Sequence, residues 1–190
     1  MESILEKVED YTIGKGRYNS THDEKAYTTW NNMIRRCYFE SDYKSWQRYK
    51  NCTVAEEWHN FQNFAEWYYE NYYMVPGCRM ELDKDLLIKG NKRYASDRCC
   101  FLPSELNNIL TYNKSNKGNL PVGVSRYKDK FKAQLSEVGY LGMFDDPVSA
   151  FEVYKEAKEK KIKETAEKYR EWIPNKAFEK LLNWQVEIDD

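Results

Sequence analysis

The feature that most limits the possible folds is a run of three short segments with a strand pattern, followed at once by a helix signal. Polar and apolar residues alternate in the middle segment, and turn-forming residues separate all three, which predicts a three-stranded antiparallel sheet. The strands are placed at 122–127, 130–137 and 140–144. Asp145 or Asp146 then precedes Pro147, an order typical of a capped helix start. This part of the chain is expected to fold as a small sheet packed on a helix.

The helix after Pro147 has one apolar face, formed by Ala150, Phe151, Tyr154 and Ala157. Its continuation at 155–168 is dense in charge and is expected to lie in solvent. Pro174 should end it, and a last helix follows in which Asn175 is the expected cap.

The first half of the chain has a helical period rather than an alternating one. Apolar side chains recur at spacings of three and four from Tyr27 to Cys37, and a second helix is expected at 55–72. A strand at 80–88, a turn at 89–91 and an extended segment at 94–101 come next, before a short helix that ends at Leu110. Helices followed by antiparallel strands place the chain in the α+β class.

Composition predicts the boundaries between folded parts. Residues 111–119 are rich in Asn, Lys and Gly and form the best candidate for a linker. The predicted organisation is a polar N-terminal arm at 1–24, an α+β domain at 25–110, the linker at 111–119, a sheet-and-helix domain at 120–172 and a C-terminal helical tail at 173–190.

The charge of the chain is close to balanced overall but not locally. The formal net charge is −1, whereas 113–140 contains six basic and two acidic residues. Such a local excess can attract a polyanion even when the total charge does not. Aromatic residues make up 16% of the chain, so large rings are expected to build the core.

No apolar run is long enough to cross a bilayer, and residues 1–10 lack the apolar stretch of a signal peptide. A cytoplasmic location is therefore expected, with no membrane partner. The five cysteines should be reduced there. Since no Cys-x-x-Cys pair occurs, zinc is not expected.

Four motifs of the second half occur in a recognisable order. They are Gly123-Val124, Lys130-Phe131-Lys132-Ala133, Leu141-Gly142-Met143-Phe144, and Ala150, Tyr154 and Ala157. In this order they resemble the AP2 domain found in phage proteins and homing endonucleases. Phe131 stands where the family usually has Trp. The resemblance implies that the sheet binds double-stranded DNA in its major groove. By the same resemblance, the candidate contacts are Arg126, Lys128, Lys130, Lys132 and Gln134.

The first half contains a second ordered set of motifs, formed by Trp30, Trp58 and Phe61, by Leu82-Asp83-Lys84-Asp85 and by the stretch from Tyr94 to Cys99. This set resembles phage-encoded proteins grouped with HNH-type homing endonucleases. It implies a degenerate ββα-type segment, in which a general base and one divalent ion would act on the scissile phosphate.

The carboxylates of Asp83 and Asp85 are the candidate ligands for Mg²⁺, with Asn91 as a third candidate catalytic residue. Two residues apart on the predicted strand, both carboxylates would point to one face. No histidine lies in this segment, and the alternative is an ion network with neighbouring lysines and arginines.

Two functions from different classes follow. The first is a phage-type DNA-binding protein related to homing endonucleases, with or without Mg²⁺-dependent endonuclease activity. The second is a phage accessory or anti-defence protein that inhibits a host protein through a protein interface, which the many aromatic residues would suit.

Overall fold

The computed structural model describes residues 11–39, 49–111 and 120–190. Its contacts divide the chain into two compact units, Met1–Leu102 and Pro103–Asp190. This division comes before the predicted linker, of which residues 112–119 lie outside the described residues. In the part of the chain that is described, no helix is both long enough and apolar enough to cross a membrane.

The first unit combines helices with short paired strands. Helix α1 spans Glu24–Tyr38, as the helical period predicts. The remaining elements are β1 Thr53–Val54, a 3₁₀ helix Glu56–His59, α2 Phe61–Asn71, β2 Met80–Asp83, β3 Arg93–Tyr94 and β4 Cys100–Pro103. Strands β1 and β3 pair in parallel, and β2 pairs with β4.

Aromatic rings build the core of the first unit, in agreement with the composition. Trp58, Phe61 and Phe64 are all buried, and the rings of Trp58 and Phe64 meet edge to face at 5.1 Å. The indole Nε1 of Trp30 donates a hydrogen bond of 2.7 Å to the Trp58 carbonyl. This bond satisfies a buried polar group and links α1 to the 3₁₀ helix.

The single helix predicted at 55–72 is wrong, because the structure has two elements there. The 3₁₀ helix ends at His59, and Asn60 has an extended backbone. The Asn60 side chain accepts a hydrogen bond from the Gln62 amide at 2.9 Å. Asn60 therefore acts as the N-cap of α2, and its preference for that position interrupts the helical period.

The strand predicted at 80–88 is also too long, since β2 ends at Asp83. Asp83 Oδ1 accepts hydrogen bonds from the amides of Asp85 at 2.9 Å and Leu86 at 2.7 Å. A carboxylate that binds the following amides bends the backbone out of the strand. The extended segment predicted at 94–101 is likewise divided between β3 and β4 by a turn.

The second unit contains the predicted antiparallel sheet packed on a helix. Its strands follow the order β5-β6-β7, and the long helix α4 packs against β6 and β7. The bounds are α3 Ser104–Leu110, β5 Val124–Tyr127, β6 Lys130–Leu135, β7 Gly139–Phe144, α4 Pro147–Lys168 and α5 Asn175–Leu182. This unit confirms the predicted sheet-on-helix arrangement.

Local chemistry starts α4 where the sequence predicts. Asp146 Oδ1 accepts hydrogen bonds of 2.9 Å from the amides of Val148 and Ser149, and Pro147 lies in the first turn. These contacts satisfy amide groups that have no partner within the helix.

The later turns of α4 are not solvated all round, which corrects the prediction for 155–168. Lys158, Ile162 and Ala166 recur every four residues and are buried. The predicted last helix is present as α5, and the residues after it return to α4. The Val186 amide donates to Glu159 Oε1, while Lys155 Nζ donates to the Val186 carbonyl, each at 2.9 Å.

Candidate functional site

The sheet of the second unit has two chemically different faces. Val124, Ala133 and Leu135 point to one face and are buried. Directly paired residues of an antiparallel sheet share a face, and successive residues alternate. The opposite face, here called the open face, carries the side chains of Ser125, Tyr127, Lys130, Lys132, Gln134, Tyr140 and Met143.

The register fixes the neighbours on the open face. At one end Tyr127 lies opposite Lys130, and at the other Gln134 lies opposite Tyr140. Lys132 occupies the centre of the middle strand. A shift in register between Ala133 and Gln134 marks a bulge in this strand pair. The bulge inserts Leu141 as an extra residue in β7 and shifts the alternation there, so that Tyr140 shares the face with the lysines.

Only three of the five predicted DNA contacts share this face. Lys130, Lys132 and Gln134 follow one another at alternate positions of β6. Arg126 lies opposite Phe131, which places it on the other face of the sheet. Lys128 lies in the turn between β5 and β6, with a positive φ of 54°.

Contacts within the hairpin hold Arg126 in this position. Its guanidinium carbon lies 5.9 Å from the centre of the Phe131 ring, and its Nε donates to the Lys128 carbonyl at 3.4 Å. A cation over a ring face is an attractive contact. Arg126 is therefore separated from the polar row on β6.

The charged groups of the open face remain available to a ligand. Lys130 Nζ lies 3.1 Å from Asp145 Oδ1, but both side chains are exposed, and such pairs contribute about 0–1 kcal/mol. Among the described residues, the side chains of Lys132 and Gln134 have no hydrogen-bond or ion-pair partner. A phosphate can therefore approach this row without breaking a strong internal contact.

Two exposed tyrosines belong to this face although sequence reasoning did not select them. Tyr127 is 55% exposed and Tyr140 is 64% exposed. Lys128 Nζ lies 5.8 Å from the centre of the Tyr127 ring. The alternation along β5 could have identified Tyr127. It lies two residues after the polar Ser125, so its side chain points to the same face of the sheet.

The predicted catalytic residues are occupied by contacts within the first unit. Asp83 ends β2 through the two amide contacts described above. Asp85 Oδ2 lies 2.6 Å from Lys84 Nζ. The Asn91 amide donates to the carbonyls of Lys84 at 2.9 Å and Arg93 at 2.6 Å. The prediction that Asp83 and Asp85 lie together on one strand is therefore wrong, because β2 ends at Asp83 and Asp85 follows it.

These residues, as arranged, do not fit a magnesium ion. The Lys84 ammonium already neutralises the Asp85 carboxylate and also donates to the Asn91 carbonyl at 2.9 Å. Burial raises the pKa of the Asp83 carboxyl to about 6, which opposes the charged form a metal requires. In 11–39, 49–111 and 120–190, no group of three or more His, Cys, Asp or Glu side chains is arranged to hold a metal.

A polar cleft of about 610 Å³ lies elsewhere in the first unit, beside His59. His59 Nε2 is 3.2 Å from the Val54 carbonyl, which can only accept, so this nitrogen carries the proton. The other polar residues around the cleft are Thr12, Thr53, Glu56, Asn60 and Arg93.

Compared with known proteins, the chain matches no family model, no curated protein and no solved structure.

Proposed function

We propose that this protein binds DNA through the open face of the second unit. Lys130 and Lys132 contact phosphates, and the Gln134 amide, which offers both donors and an acceptor, is directed to base edges. The observation that carries the proposal is the alternate row of these three side chains on β6.

The AP2-type pattern that we infer for the same strands, from Gly123-Val124 to Leu141-Gly142-Met143-Phe144, is the second support for this proposal. Cleavage is a separate hypothesis, because Asp83, Asp85 and Asn91 are engaged as described. DNA binding without cleavage is the function that the arrangement supports best.

Fluorescence anisotropy on a labelled duplex tests the proposal. The test variant is the double substitution Lys130→Gln and Lys132→Gln, measured between about 50 and 200 mM salt. Removing two phosphate contacts should weaken binding and reduce the slope of log affinity against log salt by about 2. The same charge is removed in a control by Lys176→Gln and Lys180→Gln, both exposed on α5.

Equal DNA affinity in the test variant and the wild type would contradict the assignment of Lys130 and Lys132 to the binding site. Equal losses of affinity in the test and control variants would show that only the net charge matters. If the wild type bound no DNA at low salt, the proposal would fail and inhibition of a host protein would become the leading hypothesis.

A further inference from the structure

We infer that the open face prefers single-stranded DNA to duplex DNA and stacks unpaired bases on Tyr127 and Tyr140. The inference rests on the proposed function, because it concerns the same face and the same lysines. It names the form of DNA that the face suits best.

The first argument is the position of the two rings. Tyr127 and Tyr140 occupy opposite corners of the open face, on the two outer strands β5 and β7. Four residue steps along a strand and two strand spacings separate them, which gives about 16 Å between their backbones. Sheets that bind single strands stack two or three bases over such a surface.

The second argument is the exposure of the rings. More than half of each tyrosine is accessible, and among the described residues these are two of the most exposed large apolar side chains. In a duplex the faces of the bases are covered by their neighbours, so these rings would have only edges and backbone to contact. In a single strand each base offers a free face, and any base can stack on a tyrosine.

The third argument is the charge beside each ring. Lys130 is the cross-strand partner of Tyr127, and Lys128 Nζ lies 5.8 Å from the ring centre. Gln134 is the cross-strand partner of Tyr140, with Lys132 two residues before it. A nucleotide stacked on either ring therefore has a donor within reach of its phosphate or base. The acidic neighbours are Asp129 in the turn and Asp145 beside Lys130.

The fourth argument is the position of Arg126. Bidentate contact from arginine to guanine is the commonest specific contact in the major groove. Arg126 lies on the other face and is held against Phe131. The open face thus lacks the arginine that would contact guanine in a duplex. It has instead two tyrosine rings, on which the paired bases of a duplex cannot stack.

The test compares one labelled strand of about 12 nucleotides with the duplex of the same sequence. The variant Tyr127→Leu/Tyr140→Leu removes both rings and keeps apolar side chains, and Tyr127→Phe/Tyr140→Phe keeps both rings as the control. We expect the wild type to bind the single strand more tightly. The leucine variant should lose about 5-fold to 100-fold per ring on the single strand and less than about 2-fold on the duplex. The phenylalanine variant should retain single-strand binding.

The outcomes separate this inference from the proposed function. Tighter binding of the duplex by the wild type, or unchanged single-strand affinity in the leucine variant, overturns the inference and leaves DNA binding intact. If the wild type binds both DNAs and the Lys130→Gln/Lys132→Gln variant binds neither, the result supports binding of both forms of DNA at the open face. No binding of either DNA by the wild type rejects both. Both tyrosines are exposed, so we expect the double leucine variant to melt at the wild-type temperature, and thermal melting of that variant distinguishes a loss of binding from unfolding.

Discussion

Gly123 lies against the ring of Tyr154, in a left-handed conformation with φ of 74°. A Cβ added at this position would overlap the Tyr154 ring carbons. The backbone before β5 and the buried face of α4 therefore meet at a contact that only glycine allows.

The substitution Gly123→Ala should destabilise the second unit by about 2–5 kcal/mol, since it combines left-handed strain with overpacking against Tyr154. Gly139→Ala is the matched control, because Gly139 also has a positive φ but no atom within 4 Å of an added Cβ. It should cost about 1–2 kcal/mol. Urea unfolding followed by circular dichroism measures both, and equal losses would show that the Tyr154 contact does not matter.

The segment after α5 should be part of the folded second unit. Val186 is fully buried, whereas Ile188, two residues later, is 46% exposed. We expect Val186→Ala to lower the free energy of unfolding by about 1–3 kcal/mol and Ile188→Ala to change it by less than about 0.5 kcal/mol. If thermal melting showed the two variants to be alike, the packing of this segment against α4 would be incorrect.

Asp83 should make stability depend on pH. Burial raises its pKa to about 6 in the folded chain, whereas an unfolded aspartate titrates near about 4. The folded state binds more protons between these values, so its stability falls as the pH rises through this window. The pKa difference corresponds to roughly 3 kcal/mol.

Asp83→Asn keeps an oxygen that can accept from the amides of Asp85 and Leu86 but cannot ionise. Its stability should therefore exceed that of the wild type increasingly from about pH 4 to pH 6, as judged from urea midpoints. The exposed Asp97→Asn is the control. Parallel pH curves for Asp83→Asn and the wild type would argue against an elevated pKa at Asp83.

Incubation of the protein with duplex DNA and Mg²⁺ or Mn²⁺ tests cleavage. We expect bound but intact DNA on a denaturing gel, because Asp85 is paired with Lys84 and Asn91 is bound to backbone carbonyls. Cleavage that disappears in Asp83→Asn or Asp85→Asn would instead support the metal-dependent nuclease hypothesis.

The second unit could be predicted from the sequence because its signals are local. Alternation, tight turns and the Asp146-Pro147 cap each act within a few residues, and all three are found in the structure. The buried face of α4 beyond Lys155 was missed. Lys158, Ile162 and Ala166 keep the helical spacing, but the charges around them conceal it.

The errors in the first unit arise from polar side chains that bind the backbone. Asn60 and Asp83 each accept amide hydrogen bonds and end the regular pattern around them. The spacing of apolar residues does not show where a side chain competes with the backbone for these amide groups. The side of the strand on which Arg126 lies could, in contrast, have been predicted. Arg126 lies two residues after the apolar Val124, so both side chains point to the same face.

The Val122 amide donates to the Ile188 carbonyl at 3.4 Å, so the backbone entering the sheet lies beside the last residues of the chain. Adjacent ends allow a domain to be circularly permuted or inserted into the loop of another protein. A few glycines and serines could join Asp190 to Leu120, and new termini could open in the turn between α4 and α5, at Glu171. In that order β5, β6 and β7 still follow one another, so the whole open face stays on a continuous stretch of strands.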